Sequence, residues 1–244
     1  KADGPMKILT FSTLFPNAAS PSHGVFVENR LSAWMKRSGA EAKVVAPVPW
    51  FPSRLPVFGK YARFASAPPV ERRNGVEVRH PRYFLPPKIG MDYAPAALSR
   101  VFEREARAII ASGYDFDLVD SHYLYPDGVA AARVAKAVGK PFMLTARGSD
   151  VTLIAAYPRQ RLMILDAVRK ADAVIAVAAA LKEDLVRLGA PAEKIRVLRN
   201  GVDLDRFRPL EREPIRTRFG LAGKVVASVG SLIARKGHDI AVEA

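Results

Sequence analysis

The chain has 244 residues, of which 49% are hydrophobic, and this is enough apolar material to build a packed core. It contains no cysteine, which excludes disulfide frameworks, thiolate nucleophiles and cysteine-based zinc sites and fits a reducing compartment. The formal net charge of +14 predicts an anionic partner: nucleic acid, an anionic membrane face or a phosphate-bearing substrate.

The sequence has no run of 18 apolar residues, so we expect no transmembrane helix. Residues 1–5 show no pattern, and we interpret them as a non-native leader that precedes a natural start at Met6. No secretory signal is expected before the first strand. These features together predict a cytoplasmic protein.

The chain opens with a predicted βαβ unit. Residues 7–12 form a short apolar run, and after a loop rich in Pro, Asn, Ser and Gly comes a helical stripe with Val27, Leu31 and Trp34. A second apolar run follows at 42–47. An uninterrupted apolar strand is typical of a parallel sheet that is buried on both faces.

The alternation of strands and helices continues downstream. Further strands are predicted at 76–80, 118–121, 142–146, 173–177 and 195–198, with helices at 95–112, 128–138, 161–170 and 181–188. This order predicts the α/β class, with an open, mostly parallel, Rossmann-like sheet that carries helices on both faces. Such a sheet holds its ligand at the carboxyl ends of the strands.

A domain boundary is predicted in the last fifth of the chain. Residues 6–208 are expected to form the first domain and 209–223 a linker, because a polar segment rich in Pro breaks the pattern there. Residues 224–244 are expected to hold the first strand and a loop of a second, truncated domain.

The loop before the first helix is a candidate phosphate site. It ends in His23 and Gly24, where free backbone N–H groups and the helix dipole favour an anion. Alternatively, Gly24 is only a helix N-cap. The dinucleotide and P-loop glycine fingerprints are absent from the sequence, which disfavours NAD and P-loop sites.

Charged residues follow two of the later strands. His122 directly follows the run 118–121, which makes it the best placed of the four histidines, while His80 is expected to be structural. Arg147 and Asp150 follow the run 142–146 and offer charge to a ligand. The alternative for this second loop is helix capping by its Ser149 or Asp150. The histidine spacing does not predict a metal site.

Two adjacent cations occur near the end of the chain. Arg235 and Lys236 lie just before a predicted helix start, where a diphosphate would be held, although a solvated basic turn is the alternative. The Asp-x-Asp pairs at 115–117 and 203–205 are interpreted as turn residues.

The segment 50–64 interleaves aromatic and basic side chains. Phe51, Phe58 and Tyr61 alternate with Arg54, Lys60 and Arg63, a pattern that predicts a surface for anionic lipid head groups. The alternative is an ordinary insertion packed on the sheet.

Taken together, these motifs resemble the group 1 retaining glycosyltransferases, glycosyltransferase family 4, of the GT-B fold. The resemblance runs along nearly the whole chain. The segments that carry it are 15–16, 23–27, 120–123, 125–128, 147–150, 171–177, 193–195, 200–203, 207–209 and 230–237. The resemblance implies the N-terminal, acceptor-side half of a GT-B fold with a truncated donor-binding domain.

The family resemblance also implies a reaction. A sugar would pass from a UDP- or GDP-type donor to a hydroxyl of a glycan or lipid-linked acceptor, with retention of configuration and without cofactor or essential metal. The family's paired glutamates would lie beyond Ala244, so the 244-residue chain alone is expected to be inactive. A peripheral position on the inner face of the membrane would fit the segment 50–64.

By the same resemblance each candidate residue has a role. Gly24 would lie beside the donor diphosphate and His122 would contact the donor sugar, while Arg235 and Lys236 would neutralise the leaving phosphates. Asp150, with Arg147, would belong to the acceptor side of the cleft. Arg147 stands where many family members have His, and Ser231 where many have Arg in the phosphate loop.

Two other function classes remain as alternatives. A sugar-nucleotide epimerase of the same architecture needs an acid and base pair around the sugar C2, for which the sequence offers no convincing set. A basic module that binds nucleic acid or another anionic ligand would want aromatic stacking platforms or a basic recognition helix. The sequence has neither arrangement, so no nucleic-acid partner is expected.

Overall fold

A computed structural model of the protein describes residues 4–85 and 90–244. The chain divides into two compact units, of which the first ends at Gly201 and the second spans Val202–Ala244. The division therefore precedes the predicted linker at 209–223 and falls just after the last strand.

The described residues form ten strands and nine α-helices. The strands are β1 (Lys7–Phe11), β2 (Glu41–Val45), β3 (Val48–Pro49), β4 (Val70–Arg73), β5 (Val76–Arg79), β6 (Arg82–Tyr83), β7 (Leu118–His122), β8 (Phe142–Ala146), β9 (Ala173–Ala176) and β10 (Ile195–Val197). The helices are α1 (Val25–Ser38), α2 (Lys60–Ser66), α3 (Gly90–Ala111), α4 (Val129–Val138), α5 (Ser149–Thr152), α6 (Pro158–Lys170), α7 (Ala179–Arg187), α8 (Arg212–Arg218) and α9 (His238–Glu243).

Eight of the strands form one sheet in the order β10-β9-β8-β7-β1-β2-β5-β4. All neighbours in it are parallel except β4 and β5. From β1 the chain moves outward through β2, and from β7 it moves the opposite way through β8, β9 and β10. The strand order thus reverses between β1 and β7, and α/β sheets place their ligand crevice at such a switch point.

Each face of the sheet is covered by its own apolar core. Leu9 and Phe11 of β1 point to the face covered by α3, where Phe11 stacks on Phe102 at 3.9 Å between ring centroids. On the other face, Val27 and Leu31 of α1 pack against strands β2 and β5. Burial on both faces explains the apolar strand sequences, and the predicted α/β class is confirmed.

A hairpin that the sequence analysis did not predict forms the edge of the sheet. Strands β4 and β5 are antiparallel and are joined by Asn74 and Gly75, whose φ angles are 48° and 82°. Two consecutive positive φ values are typical of a type I′ turn, for which Asn-Gly is a preferred sequence. The Asn74-Gly75 dipeptide is therefore the sequence signal from which this hairpin could have been predicted.

The second unit contains α8 and α9 but, within Val202–Ala244, no strand. The strand predicted at 224–229 is therefore wrong. A strand requires a hydrogen-bonded neighbour, and here the apolar run has none, so that Val226 and Val229 are 95% and 96% exposed. In the part of the chain that the structure describes, no helix combines the length and the apolar character that crossing a bilayer requires.

Candidate functional site

The loops that follow β1, β7 and β8 meet at the switch point of the sheet. Phe11 lies beside Ser121, and His122 lies beside Thr145, so the three strands end next to one another. The Ser12 hydroxyl donates to the carbonyl of His122 at 3.3 Å, which fixes the loop after β1 against the end of β7.

Asp127, in the loop after β7, also binds the loop after β1. Its carboxylate is fully buried and accepts hydrogen bonds from the backbone N–H of Thr13 at 2.7 Å and from the Thr13 hydroxyl at 3.0 Å. Burial raises the pKa of Asp127 to about 7, against the opposing effect of the Thr13 hydrogen bonds. The folded protein therefore retains a proton that the unfolded chain releases near its ordinary pKa of about 4.

This raised pKa predicts how stability changes with pH. Between about pH 4 and pH 7 the folded state binds more protons than the unfolded state, so this group lowers the free energy of unfolding as the pH rises. Asp127→Asn stays neutral and keeps an acceptor oxygen. We expect the variant to lose less stability than the wild type between pH 4.5 and 7.5, measured by urea unfolding.

The control for Asp127 is Asp115→Asn, at a carboxylate that is 69% exposed and pairs with Lys140. It should follow the wild-type pH profile. Parallel profiles for Asp127→Asn and the wild type would refute the raised pKa as a source of pH dependence.

Gly24 begins α1 with a left-handed backbone, at a φ of 68°. It is buried against the loop after β1, and a Cβ atom built on it would lie 2.3 Å from the carbonyl carbon and oxygen of Leu14. No side chain in the described part of the protein caps this helix. The N–H of Val27 bonds to the carbonyl of Gly24 at 2.9 Å, and the preceding N–H groups of Val25 and Phe26 remain available for an anion. The N-cap interpretation of Gly24 is confirmed, and it is compatible with phosphate contact.

His122 is buried, at 1% exposure, and both of its ring nitrogens are engaged. The guanidinium of Arg147 donates to Nδ1 at 2.8 Å, and Nε2 lies 2.9 Å from a carboxylate oxygen of Asp120. Because a guanidinium can only donate, Nδ1 must be the acceptor, and Nε2 then carries the proton that binds Asp120. The contacts therefore select one neutral tautomer of His122.

The electrostatics of this pair agree with that tautomer. Burial lowers the pKa of His122, and the positive charges of Arg147 and Arg30 lower it further against the effect of Asp120. Burial opposes ionisation of Asp120. Its interaction with His122 and its electrostatic attraction to Arg30 and Arg147 outweigh burial, and the pKa of Asp120 is lowered. At neutral pH the site holds an aspartate beside a neutral imidazole.

Arg147 lies over His122 at the end of β8. Besides the His122 contact, it donates to the side-chain oxygen of Asn200 at 2.9 Å and lies 4.9 Å from the ring centroid of Phe26 in α1. It is half-buried, so Arg147 rather than His122 is presented at this part of the crevice. A ligand would reach His122 directly only if the guanidinium moved.

Asp150 is fully buried, and its carboxylate accepts hydrogen bonds from backbone N–H groups. It accepts the N–H groups of Leu124 at 2.9 Å, Arg147 at 3.1 Å and Gly148 at 2.7 Å. Burial raises its pKa, and these backbone hydrogen bonds oppose the rise. The capping interpretation of Ser149 or Asp150 is wrong, because Gly148 is the N-cap of α5 and no side chain caps this helix. Asp150 binds N–H groups that precede the helix, and its effect is to hold the loops after β7 and β8 in place.

The remaining candidates have simpler surroundings. Lys236 is exposed in a short turn of the second unit, and the side chain of Arg235 lies outside the described residues. His80 is structural, as predicted, because its Nε2 lies 2.8 Å from Glu71 and its Nδ1 lies 3.0 Å from the carbonyl of Ala46. The carboxylate of Asp203 accepts the backbone N–H groups of Asp205 and Arg206, as expected of a turn residue, whereas that of Asp117 accepts the backbone N–H of Lys7 at the start of β1.

Comparison with known proteins agrees with this geometry. The family model described as Glycosyltransferase Family 4 matches residues 27–206, a range that includes β7, β8 and their loops. The chain belongs to glycosyltransferase family 4. The resemblance inferred from the motifs is thereby confirmed.

Two curated relatives are similar to this chain in sequence over nearly its whole length. TuaC of Bacillus subtilis, a glycosyltransferase assigned to teichuronic acid biosynthesis, is 30% identical over 95% of this chain and 60% of its own length. D-inositol 3-phosphate glycosyltransferase 1 of Catenulispora acidiphila is 26% identical over 100% of this chain and 58% of its own length. The chain thus spans less than two thirds of either relative.

A solved structure shares the fold. HepE of Anabaena, solved in complex with UDP-glucose, superposes with a TM-score of 0.54 at 17% identity, over 88% of this chain and 50% of HepE. At this identity the likeness concerns the fold alone. It confirms the Rossmann-like, GT-B type architecture predicted for the first domain.

Proposed function

We propose that the whole protein is a retaining glycosyltransferase of polysaccharide or glycoconjugate biosynthesis. It moves a sugar from a UDP- or GDP-type donor to a hydroxyl of a glycan or lipid-linked acceptor. The observation that carries this proposal is the switch-point crevice, where Gly24, the open helix start and Arg147 over His122 lie together in a family 4 chain. UDP-glucose in HepE supports a nucleotide-sugar donor, and the teichuronic acid biosynthesis named for TuaC supports a role in making a glycan.

The chemistry proposed for the site is stabilisation of the departing diphosphate. The free N–H groups at the start of α1 would lie beside the diphosphate. For the second unit by itself, the proposed role of Arg235 and Lys236 is to bind phosphate. Fixed dipoles and cations aimed at developing negative charge are a large source of catalysis in enzymes generally. His122, through Arg147, would border the donor sugar.

The carboxylates near the crevice support a mechanism without a covalent nucleophile. Asp127 and Asp150 are fully buried and bind backbone N–H groups, and Asp120 binds His122. None of these three carboxylates is presented to a sugar.

Stereochemistry tests the proposal most simply. The whole protein is incubated with UDP-glucose and with GDP-mannose in the presence of acceptor glycans, and the anomeric configuration of the product is read by proton NMR. We expect an α-linked product from an α-linked donor, and the 244-residue chain alone should bind donor without turnover. An inverted product, or an epimerised sugar nucleotide, would contradict the proposal.

We also propose peripheral binding to an anionic membrane, through the segment 50–64 that follows β3. Leu55 and Val57 are 62% and 83% exposed, so this part is not packed on the sheet. Phe51 contacts Phe58 and Tyr61 at 5.3 and 5.4 Å between ring centroids. No acidic residue occurs from 42 to 70, so every charged residue within the segment itself is basic.

Vesicle binding tests the membrane proposal. The chain should cosediment with phosphatidylserine vesicles at low salt, and the combined change of Arg54, Lys60 and Arg63 to Gln should weaken binding about a hundredfold, at ~1 kcal/mol for each charge lost. Leu55→Ser with Val57→Ser should weaken it at every salt concentration. Equal binding to neutral and anionic vesicles would contradict the electrostatic part of the proposal.

A further inference from the structure

Two arginines flank the buried His122–Asp120 pair on the α1 side of the sheet. Arg30 extends from α1, and its guanidinium donates to the hydroxyl of Thr145 on β8 at 3.4 Å. Arg147 follows β8 and donates to His122 and Asn200. Among residues 4–85 and 90–244, neither arginine forms an ion pair with a carboxylate.

One ionised carboxylate, that of Asp120, attracts both arginines, and the other carboxylates nearby are engaged elsewhere. Asp120 binds Nε2 of His122, and Asp150 binds three backbone N–H groups. Glu28, the acid in the first turn of α1, pairs instead with Arg73 at 2.8 Å. The crevice therefore has an excess of positive charge.

Arg147 is oriented by groups that leave its charge intact. Its two hydrogen-bond acceptors, the imidazole of His122 and the amide of Asn200, are both neutral, and its Nε is buried without a partner. Burial and the positive charge of Arg30 lower the pKa of Arg147 to about 10, so it remains protonated at neutral pH. A guanidinium is planar and can bind a carboxylate or phosphate through two hydrogen bonds, and that of Arg147 is already fixed in one orientation.

The apolar surface beside the cation suits a sugar or polyol body. Phe26, whose ring lies under the Arg147 guanidinium, is 41% exposed. An aromatic face next to a charged fork can contact the ring of a ligand while the fork binds its anionic group.

We propose that Arg147 and Arg30 form a subsite for a carboxylate or phosphate on the acceptor, with His122 and Asp120 as positioning residues. This inference rests on the proposed function, because it names the acceptor class of the same site. The donor diphosphate shares this chemistry, so the two sources have to be separated by experiment.

Calorimetric titration of the 244-residue chain separates them. The probes are D-glucuronate, D-glucose 6-phosphate and neutral D-glucose, each with and without saturating UDP. With UDP present, we expect the two anionic sugars to bind about tenfold or more tightly than D-glucose, as a charge-assisted bidentate contact implies. Arg147→Met and Arg30→Met should each remove this preference.

Matched variants control for folding and for general charge. Arg187→Met, at an exposed arginine of α7 that pairs with Asp184, should retain the preference. Thermal unfolding verifies that each variant is folded, and Arg147→His is a second neutral variant should Arg147→Met not fold. Asp120→Asn should weaken the preference, because an amide can donate to Nε2 and turn Nδ1 into a donor that repels Arg147.

Each outcome has a distinct meaning. Equal binding of charged and neutral sugars by the wild type, or an unchanged preference in Arg147→Met and Arg30→Met, would overturn the subsite. Competition between UDP and the anionic sugars would assign the arginines to the donor diphosphate and overturn the acceptor assignment. If the whole protein failed to bind UDP while the anion preference stayed intact, the subsite would be supported and the proposed function contradicted.

Discussion

Gly24→Ala is expected to destabilise the protein by roughly 3 kcal/mol or more, because it combines an unfavourable left-handed conformation with overpacking. The added Cβ would lie 2.3 Å from the backbone of Leu14, and backbone atoms cannot rotate away as a flexible side chain can. Relief requires the loop after β1 to move. Urea unfolding measures the loss of stability, and titration with UDP measures the accompanying loss of donor binding.

The opposite end of the same helix provides a matched control. Gly39 has nearly the same φ, 70°, and a Cβ atom there would meet nothing within 4 Å. Gly39→Ala should therefore cost only about 1 kcal/mol, the conformational part alone. Similar losses in the two variants would show that the contact with Leu14 has no energetic weight.

Asp150→Ala is expected to cost roughly 3 kcal/mol or more, because buried backbone donors would lose their acceptor at about 1–3 kcal/mol each. The donors belong to Leu124, Arg147 and Gly148, which fix the loops after β7 and β8. The loss should therefore extend to ligand binding through Arg147. Chemical denaturation and titration with D-glucuronate measure the two effects.

Two substitutions calibrate this result. Asp150→Asn keeps one acceptor oxygen and should give an intermediate loss. Asp166→Ala removes an exposed carboxylate that pairs with Lys170 in α6, and should change stability by less than about 1 kcal/mol. If Asp150→Ala were as mild as Asp166→Ala, the three backbone contacts could not be what holds these loops.

Much of the fold was predictable because each core strand is a short apolar run between helical patterns. The strands β1, β7 and β8 were predicted to within one residue at each end. The same signal failed at 224–229, where an apolar run has no neighbouring strand to pair with. Hydrophobicity reports the tendency to be buried, whereas a strand also needs a partner.

The position of the site was predictable, but its internal contacts were not. Gly24 and His122 were found because both follow apolar strands, and parallel strands end at one edge. Asp120, Asp127 and Arg30 were missed, because their roles depend on the pairing of β1 with β7 and on burial. Sequence order does not show that Arg147 would cover His122, since that contact joins two separate loops.

The proposed function depends on one crevice at the carboxyl ends of β1, β7 and β8. Titration of isotopically labelled protein with UDP-glucose, followed by amide NMR, tests it directly. We predict that the largest shift changes fall on residues 12–26, 122–124 and 147–150. Unchanged signals there, with changes at the amino ends of the same strands near Lys7, Leu118 and Phe142, would contradict it.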